Sequence, residues 1–187
     1  MKILFISDIH GLKTNLAKIK YKFDEYNCDK LVVLGDLYRI STINMNENDY
    51  DTKYVKNFLE SFKDKIICIR GNCDSDNEII DSKFKIIDEI SMLHINDKKV
   101  YLTHGHIYND TNWKENNSIL IFGHYHIPFI KDVANTMYIN PGSISNPRFG
   151  NPTYLIFDGN EFIIYDICDK IIDRRKITSK WMFCLQK

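Results

Sequence analysis

The sequence lacks an excess of either charge: 25 Lys and Arg stand against 25 Asp and Glu in 187 residues. Without a basic field there is no reason to expect a nucleic-acid partner. Also missing is any apolar run near the 18 or so residues that a membrane span requires, so no membrane partner is expected. The apolar run over residues 1–7 is cut short by Asp8 and His10, too early for a signal peptide. The five cysteines, Cys28, Cys68, Cys73, Cys168 and Cys184, are odd in number and have no CxxC spacing. That argues against a disulfide framework and for reduced thiols in a cytoplasmic chain. Histidine is scarce, at six residues, so the positions of those six in the chain are informative.

What is present is an ordinary globular balance, 44% hydrophobic and 27% charged. A chain this long buries roughly 70% of its unfolded surface, enough for one core, so a single domain over 1–187 is expected. Residues 2–7 form a short continuous apolar run and read as a buried strand. Leu12, Leu16, Ile19 and Phe23 fall at helical spacing and predict a helix over 12–27. A strand over 31–34, an Asn-rich loop over 42–50, a helix over 53–62 and a strand over 66–69 come next. Strands alternating with helices predict a parallel sheet. Further strands are expected over 100–103, 119–122 and 137–139. Two more, over 153–157 and 161–167, flank the turn Asp158-Gly159-Asn160, and residues 170–177 add another. The second half is therefore strand-rich, antiparallel or mixed. The fold class is α/β, a sandwich of two facing sheets.

Each of the first five predicted strands is followed by polar residues. They are Asp8-Ile9-His10-Gly11, Gly35-Asp36, Gly71-Asn72-Cys73-Asp74, His104-Gly105-His106 and Gly123-His124-Tyr125-His126. Ligand sites in open α/β sheets lie outside the carboxyl ends of strands. Five of the six histidines lie in these segments, and only His94 lies elsewhere. Asp, Asn and His offer oxygen and imidazole ligands without obligatory thiolate, the donor set of a hard-to-borderline metal site. Two metals about 3.5–4 Å apart need a shared carboxylate, and Asp36 suits that place.

The ordered set DxH, GD, GN, GH and GHxH resembles the calcineurin-like metallophosphoesterase superfamily. Ser7-Asp8-Ile9-His10-Gly11, Arg70-Gly71-Asn72-Cys73-Asp74-Ser75, Thr103-His104-Gly105-His106, Gly123-His124-Tyr125-His126-Ile127-Pro128 and the run Asn140-Pro141-Gly142-Ser143-Ile144-Ser145-Asn146-Pro147-Arg148 resemble its small YfcE-like phosphodiesterase branch. The likeness spans residues 1–167. It implies two divalent metal ions, one held by Asp8, His10, Asp36 and His126, the other by Asp36, Asn72, His104 and His124. It implies in-line attack of a metal-bridging hydroxide on a small phosphate ester, with Asn72 stabilising charge. His106 is expected to lie behind the ligands or face substrate, and Arg148 to clamp phosphate bidentately. Mixed His and carboxylate ligands suit Mn²⁺ first, and also Fe²⁺, Zn²⁺, Co²⁺ or Ni²⁺.

Two departures bear on substrate. Cys73 stands where many superfamily members carry a His that aids leaving-group protonation. The residues after Gly35-Asp36, from Tyr38 to the Asn-rich loop, differ from the branch's usual stretch. The expectation is a phosphodiesterase. A Vps29-like protein-binding scaffold, and a phosphomonoesterase or nuclease on the same fold, are the alternatives. A homo-oligomer is compatible with the sequence.

Overall fold

In the computed structural model, which describes residues 1–39 and 47–177, alternate side chains of each central strand enter different cores. In β1 (Ile3–Ile6), Leu4 and Ile6 belong to one hydrophobic cluster, Ile3 and Phe5 to another. This is the period-2 rule of an extended chain, and it explains why the run is apolar without interruption: both faces are covered.

The chain continues with α1 (Leu16–Glu25), β2 (Lys30–Val33), a 3-10 turn (Glu47–Asp49), α2 (Thr52–Glu60), β3 (Ile66–Ile69), α3 (Asp76–Ile80) and β4 (Ile86–Ile87). It then builds β5 (Ile90–Ile95), β6 (Lys98–Thr103), β7 (Ser118–Phe122), β8 (Pro128–Val133) and β9 (Thr136–Pro141). Last come β10 (Thr153–Phe157), β11 (Glu161–Asp166) and β12 (Ile171–Lys176). Among the described residues the strands form two sheets, ordered β12-β11-β10-β1-β2-β3-β4 and β5-β6-β7-β9-β8. Strands β1 to β4 run parallel, while β10, β11 and β12 join antiparallel. In the second sheet β6, β7 and β9 are parallel and β5 and β8 antiparallel. Both sheets are mixed, as expected of the second half.

The first sheet is the middle layer. Leu16, Ile19 and Phe23 of α1 and Val55, Phe58 and Leu59 of α2 pack on one face of it. Ile119, Ile121, Met137 and Ile139 of the second sheet pack on the other, around Phe5, Phe157 and Phe162. Among the described residues the outer face of the second sheet carries no helix. A smaller cluster of Leu120, Phe122 and Tyr138 covers it, with Tyr101, Trp113, Tyr125 and Phe129 packed around. At one side the two sheets are tied edge to edge: Ile130 N–H of β8 donates to Asp173 of β12 (3.0 Å), and Arg175 pairs with Asp132 (3.2 Å).

The first helix begins four residues later than its spacing predicts. Residues 12 to 14 are used otherwise: Leu12 bridges Tyr50, and Lys13 N–H donates to the Asp49 carbonyl. α3, β4, β5 and β8 were not read from the sequence. The loop expected over 42–50 falls partly outside the described residues, as does Cys184. No helix among the described residues is long and apolar enough to cross a membrane.

Candidate metal centre

The loops after β1 and β2 run side by side. Asp8 N–H donates to Gly35 O (3.1 Å), His10 N–H to Asp36 O (2.9 Å) and Gly11 N–H to Leu37 O (2.9 Å). Asp8, His10, Asp36, His124 and His126 all adopt positive φ, between 52° and 64°. For residues with a Cβ this costs on the order of 1–3 kcal/mol each, and such strain clusters where function fixes the backbone. Gly71 shows how tightly the loops meet: a Cβ there would lie 2.1 Å from Asp36 Oδ1.

The side chains converge. His126 Nε2 lies 3.3 Å from Asp8 Oδ1 and 3.2 Å from His10 Nε2. Asp36 Oδ2 lies 3.7 Å from His10 Nε2, and its Oδ1 lies 3.5 Å from His104 Nε2. His104 Nε2 in turn meets Asn72 Oδ1 at 3.0 Å. Asp8, His10 and His126 form one group of donor atoms all within 4.8 Å of one another, and Asp8, Asp36 and His104 form another. The His124 ring packs on His104 (centroids 5.1 Å). Cys73 Sγ also comes within 4.8 Å of donor atoms of His10 and Asp36. Its backbone N–H donates to Asp36 Oδ1 (2.9 Å).

Three rings are gripped from behind. Nδ1 of His10 faces Arg39 O (2.8 Å), Nδ1 of His104 faces Leu34 O (2.6 Å), and Nδ1 of His126 faces Asn146 O (2.6 Å). A carbonyl only accepts, so each Nδ1 carries the hydrogen and each Nε2 is left to bind. The bare Nε2 atoms of His10 and His126 then oppose each other unless a proton or cation lies between them. Asp8 Oδ1, beside them, is buried with no hydrogen-bond partner among the described residues. These atoms fit a divalent cation. Burial lowers the His126 pKa, but Asp8 outweighs it and raises the group overall.

The charges agree with that reading. Burial would raise the Asp8 carboxyl, yet His126 and His104 hold it below the usual carboxylate range. Asp36 is likewise held low against burial, chiefly by His104. Burial opposes the His104 charge, but Asp36 and Asp8 raise its pKa to about 9. Burial and the His104 charge lower His106 and His124. Burial and Asp36 push the Cys73 thiol up to about 12.

His106 and Arg148 are both exposed. A cavity of about 510 Å³ is lined by Arg70, Asn72, Asp88, Glu89 and His106. Arg148 N–H donates to His126 O (3.1 Å). His94 is exposed on β5, away from the group, as expected.

Sequence reasoning assigned no role to the residues that hold these loops. The buried Asp74 carboxylate accepts from the N–H groups of Asp36 (3.0 Å), Leu37 (2.7 Å) and Gly71 (2.7 Å). Burial raises its pKa against those bonds. Ser143 Oγ donates to Asp8 O (2.8 Å) and accepts from Asn146 N–H (2.8 Å). The stretch from Asn140 to Arg148 thus serves His126 from behind. The one signal available was small polar residues crowded beside ligand motifs.

A profile of the calcineurin-like phosphoesterase superfamily domain matches residues 1–161. The chain is 30% identical over 175 residues to the phosphodiesterase YfcE of Escherichia coli K12, covering 92% of this chain and 95% of that one. The solved structure of the E. coli YfcE phosphoesterase superposes with a TM-score of 0.89 at 28% identity, covering 95% of this chain and all of that one. Vacuolar protein sorting 29 of Cryptosporidium parvum shares the fold, at 17% identity and a TM-score of 0.61 over 94% and 98% of the two chains. With most of its length matched by the superfamily profile, the chain belongs to the calcineurin-like phosphoesterase superfamily.

Proposed function

We propose that the protein is a metal-dependent phosphodiesterase that holds two divalent cations, Mn²⁺ foremost, with Asp36 shared between them. The observation that carries this is the aim of the Asp36 carboxylate: Oδ2 turns to His10 and Oδ1 to His104. One carboxylate serving two imidazole sets is what a dinuclear centre requires. The YfcE relative, a phosphodiesterase by name, supports the same reading.

Asp8, His10 and His126 complete one site with Asp36. Asn72, His104 and His124 complete the other. When bound, the cations would acidify a water and neutralise phosphate charge. The chain supplies the rest. The Asn72 amide stabilises charge on a phosphate oxygen. Exposed Arg148 clamps a second. His106 faces the ester substituent in the cavity. Cys73 is a substrate-side residue, neither ligand nor nucleophile: its thiol stays protonated and the donor set is complete without it. A thiol is a poor acid for a leaving alkoxide, which favours diesters over monoesters with poor leaving groups. The substrate is a small phosphate ester, met in the cytoplasm by a single domain of residues 1–187 or a homo-oligomer of it. The neutral charge balance speaks against nucleic acid. The Vps29-like scaffold reading rests on shared fold alone, since no donor of the set is missing.

The test is hydrolysis of bis(p-nitrophenyl) phosphate against p-nitrophenyl phosphate by protein stripped of metal and reloaded with Mn²⁺. The expected result is a higher kcat/KM for the diester and two equivalents of metal per chain. Asp36→Asn should weaken both equivalents, and His126→Ala mainly one. A monoester preference would overturn the phosphodiesterase assignment. No more than trace metal after loading would overturn the dinuclear centre.

A further inference from the structure

His124 differs from the other three ligand histidines. His10, His104 and His126 are each held at Nδ1 by a backbone carbonyl. The His124 ring has no hydrogen-bond partner among the described residues. Only its backbone is held: φ is 64°, and its N–H donates to Asp8 Oδ2 (3.1 Å). The ring packs on His104 (centroids 5.1 Å) but no hydrogen bond fixes it, so its direction depends on the turn over residues 123–126.

The turn is pinned at its apex by the next residue. Tyr125 N–H donates to Gly123 O (2.7 Å), and its ring meets Phe122 edge-on (5.2 Å, 89°). Its hydroxyl donates to Asp110 Oδ1 (2.9 Å), and the other Asp110 oxygen pairs with Lys131 of β8. Asp110 stands on a braced loop. Asn109 Nδ2 donates back to Gly105 O (3.0 Å) and Asn112 Nδ2 to Ile107 O (2.6 Å). The chain Tyr125–Asp110–Lys131 thus ties the His124 turn to the loop that carries His106 and to an edge strand.

We propose that Tyr125 is a positioning residue for His124. Through Asp110 it sets the affinity of the metal site that includes His124. It leaves the site of Asp8, His10 and His126 unaltered, because His126 has its own grip at Asn146 O. This rests on the dinuclear reading above and says which of the two sites depends on the tether. Outer partners of metal ligands typically change affinity by about 10–100-fold.

Tyr125→Phe removes one hydroxyl and keeps the ring. Metal-free protein is titrated with Co²⁺ and followed by its visible absorption, beside wild type and His124→Ala. In Tyr125→Phe one equivalent should bind about tenfold more weakly, and it should be the equivalent that His124→Ala abolishes. The other should keep its wild-type affinity and band shape. Asp110→Asn should do the same, and the double variant should add nothing. The metal-free Tm should fall by no more than about 4 °C, as for one partly exposed hydrogen bond. Equal weakening of both equivalents, no weakening of either, or a larger fall in metal-free Tm would overturn the assignment. Wild type that binds no Co²⁺ sinks the dinuclear reading and this inference with it. Wild type with two equivalents and an unchanged Tyr125→Phe sinks this inference alone.

Discussion

His104 carries a proton in the metal-free chain that it cannot keep when it binds a cation. Asp36 and Asp8 raise its pKa to about 9 against burial, while in the unfolded chain it titrates near 6.5. A raised basic group stabilises fully below its unfolded pKa, and the contribution is lost as pH climbs through the folded one. His126 is raised too and acts with the same sign. Metal-free protein should therefore lose Tm between about pH 6.5 and pH 9, and Mn²⁺-loaded protein should not. Calorimetry of both forms across that window checks this; a flat or rising metal-free Tm contradicts it. Cys73 gives a second outcome. With its thiol pushed up to about 12, it should react with iodoacetamide at pH 8 at least about tenfold more slowly than an unfolded thiol of pKa about 8.5. Peptide mass spectrometry separates it from exposed Cys168; equal rates at the two would refute the protonated assignment. The motif residues were legible because Asp, Asn and His are informative when they follow strands in order. Asp74, Ser143 and Tyr125 were not, because Asp74 and Ser143 bond backbone groups and Tyr125 bonds the distant Asp110, and such pairings leave no spacing in the chain.

Among the elements, long periodic ones were readable. α1 and α2 show their buried stripes in the sequence, and β1, β7 and β10 their unbroken apolar runs. α3 has five residues and none buried, and β4 has two residues, too few for any period to register. β5 and β8 are edge strands with mixed burial, and the Pro128 that opens β8 looks like a strand breaker until the edge position is known. The turn from β9 toward His126 depends on Gly142, with φ 75° and a Cβ position 2.1 Å from Thr153 Oγ1. Gly142→Ala meets both a forbidden backbone region and a clash with a hydroxyl that donates to Pro141 O. It should destabilise by more than about 1 kcal/mol. It should also weaken the metal that His126 holds, since Ser143 directly follows Gly142 and holds Asn146, whose carbonyl grips His126. Urea unfolding and metal titration of this variant read the two effects; wild-type behaviour in both would show the turn to be slack.

At the scale of the whole molecule, one layer serves two cores, so damage between the sheets is felt by both. Phe5 is fully buried there and touches Phe162. Phe5→Ala should cost about 3–5 kcal/mol, a fall in metal-free Tm of roughly 6–20 °C for a chain of this size. A fall under about 3 °C would mean that the sheets reseal over the gap. The sandwich was foreseeable from strand count and order. That no helix among the described residues covers the outer face of the second sheet was not, because the aromatic side chains that cover it come from separate strands and loops. The left-handed backbone at Asp8, His10, Asp36, His124 and His126 has a consequence for the protein's descent. Glycine would sit there without strain, so a mutation that erases a partly exposed ligand such as His124 can relieve the metal-free chain while it disables the centre. Purifying selection on turnover is then what keeps the His124 side chain. A lineage released from that selection would lose it with no stability barrier in its way.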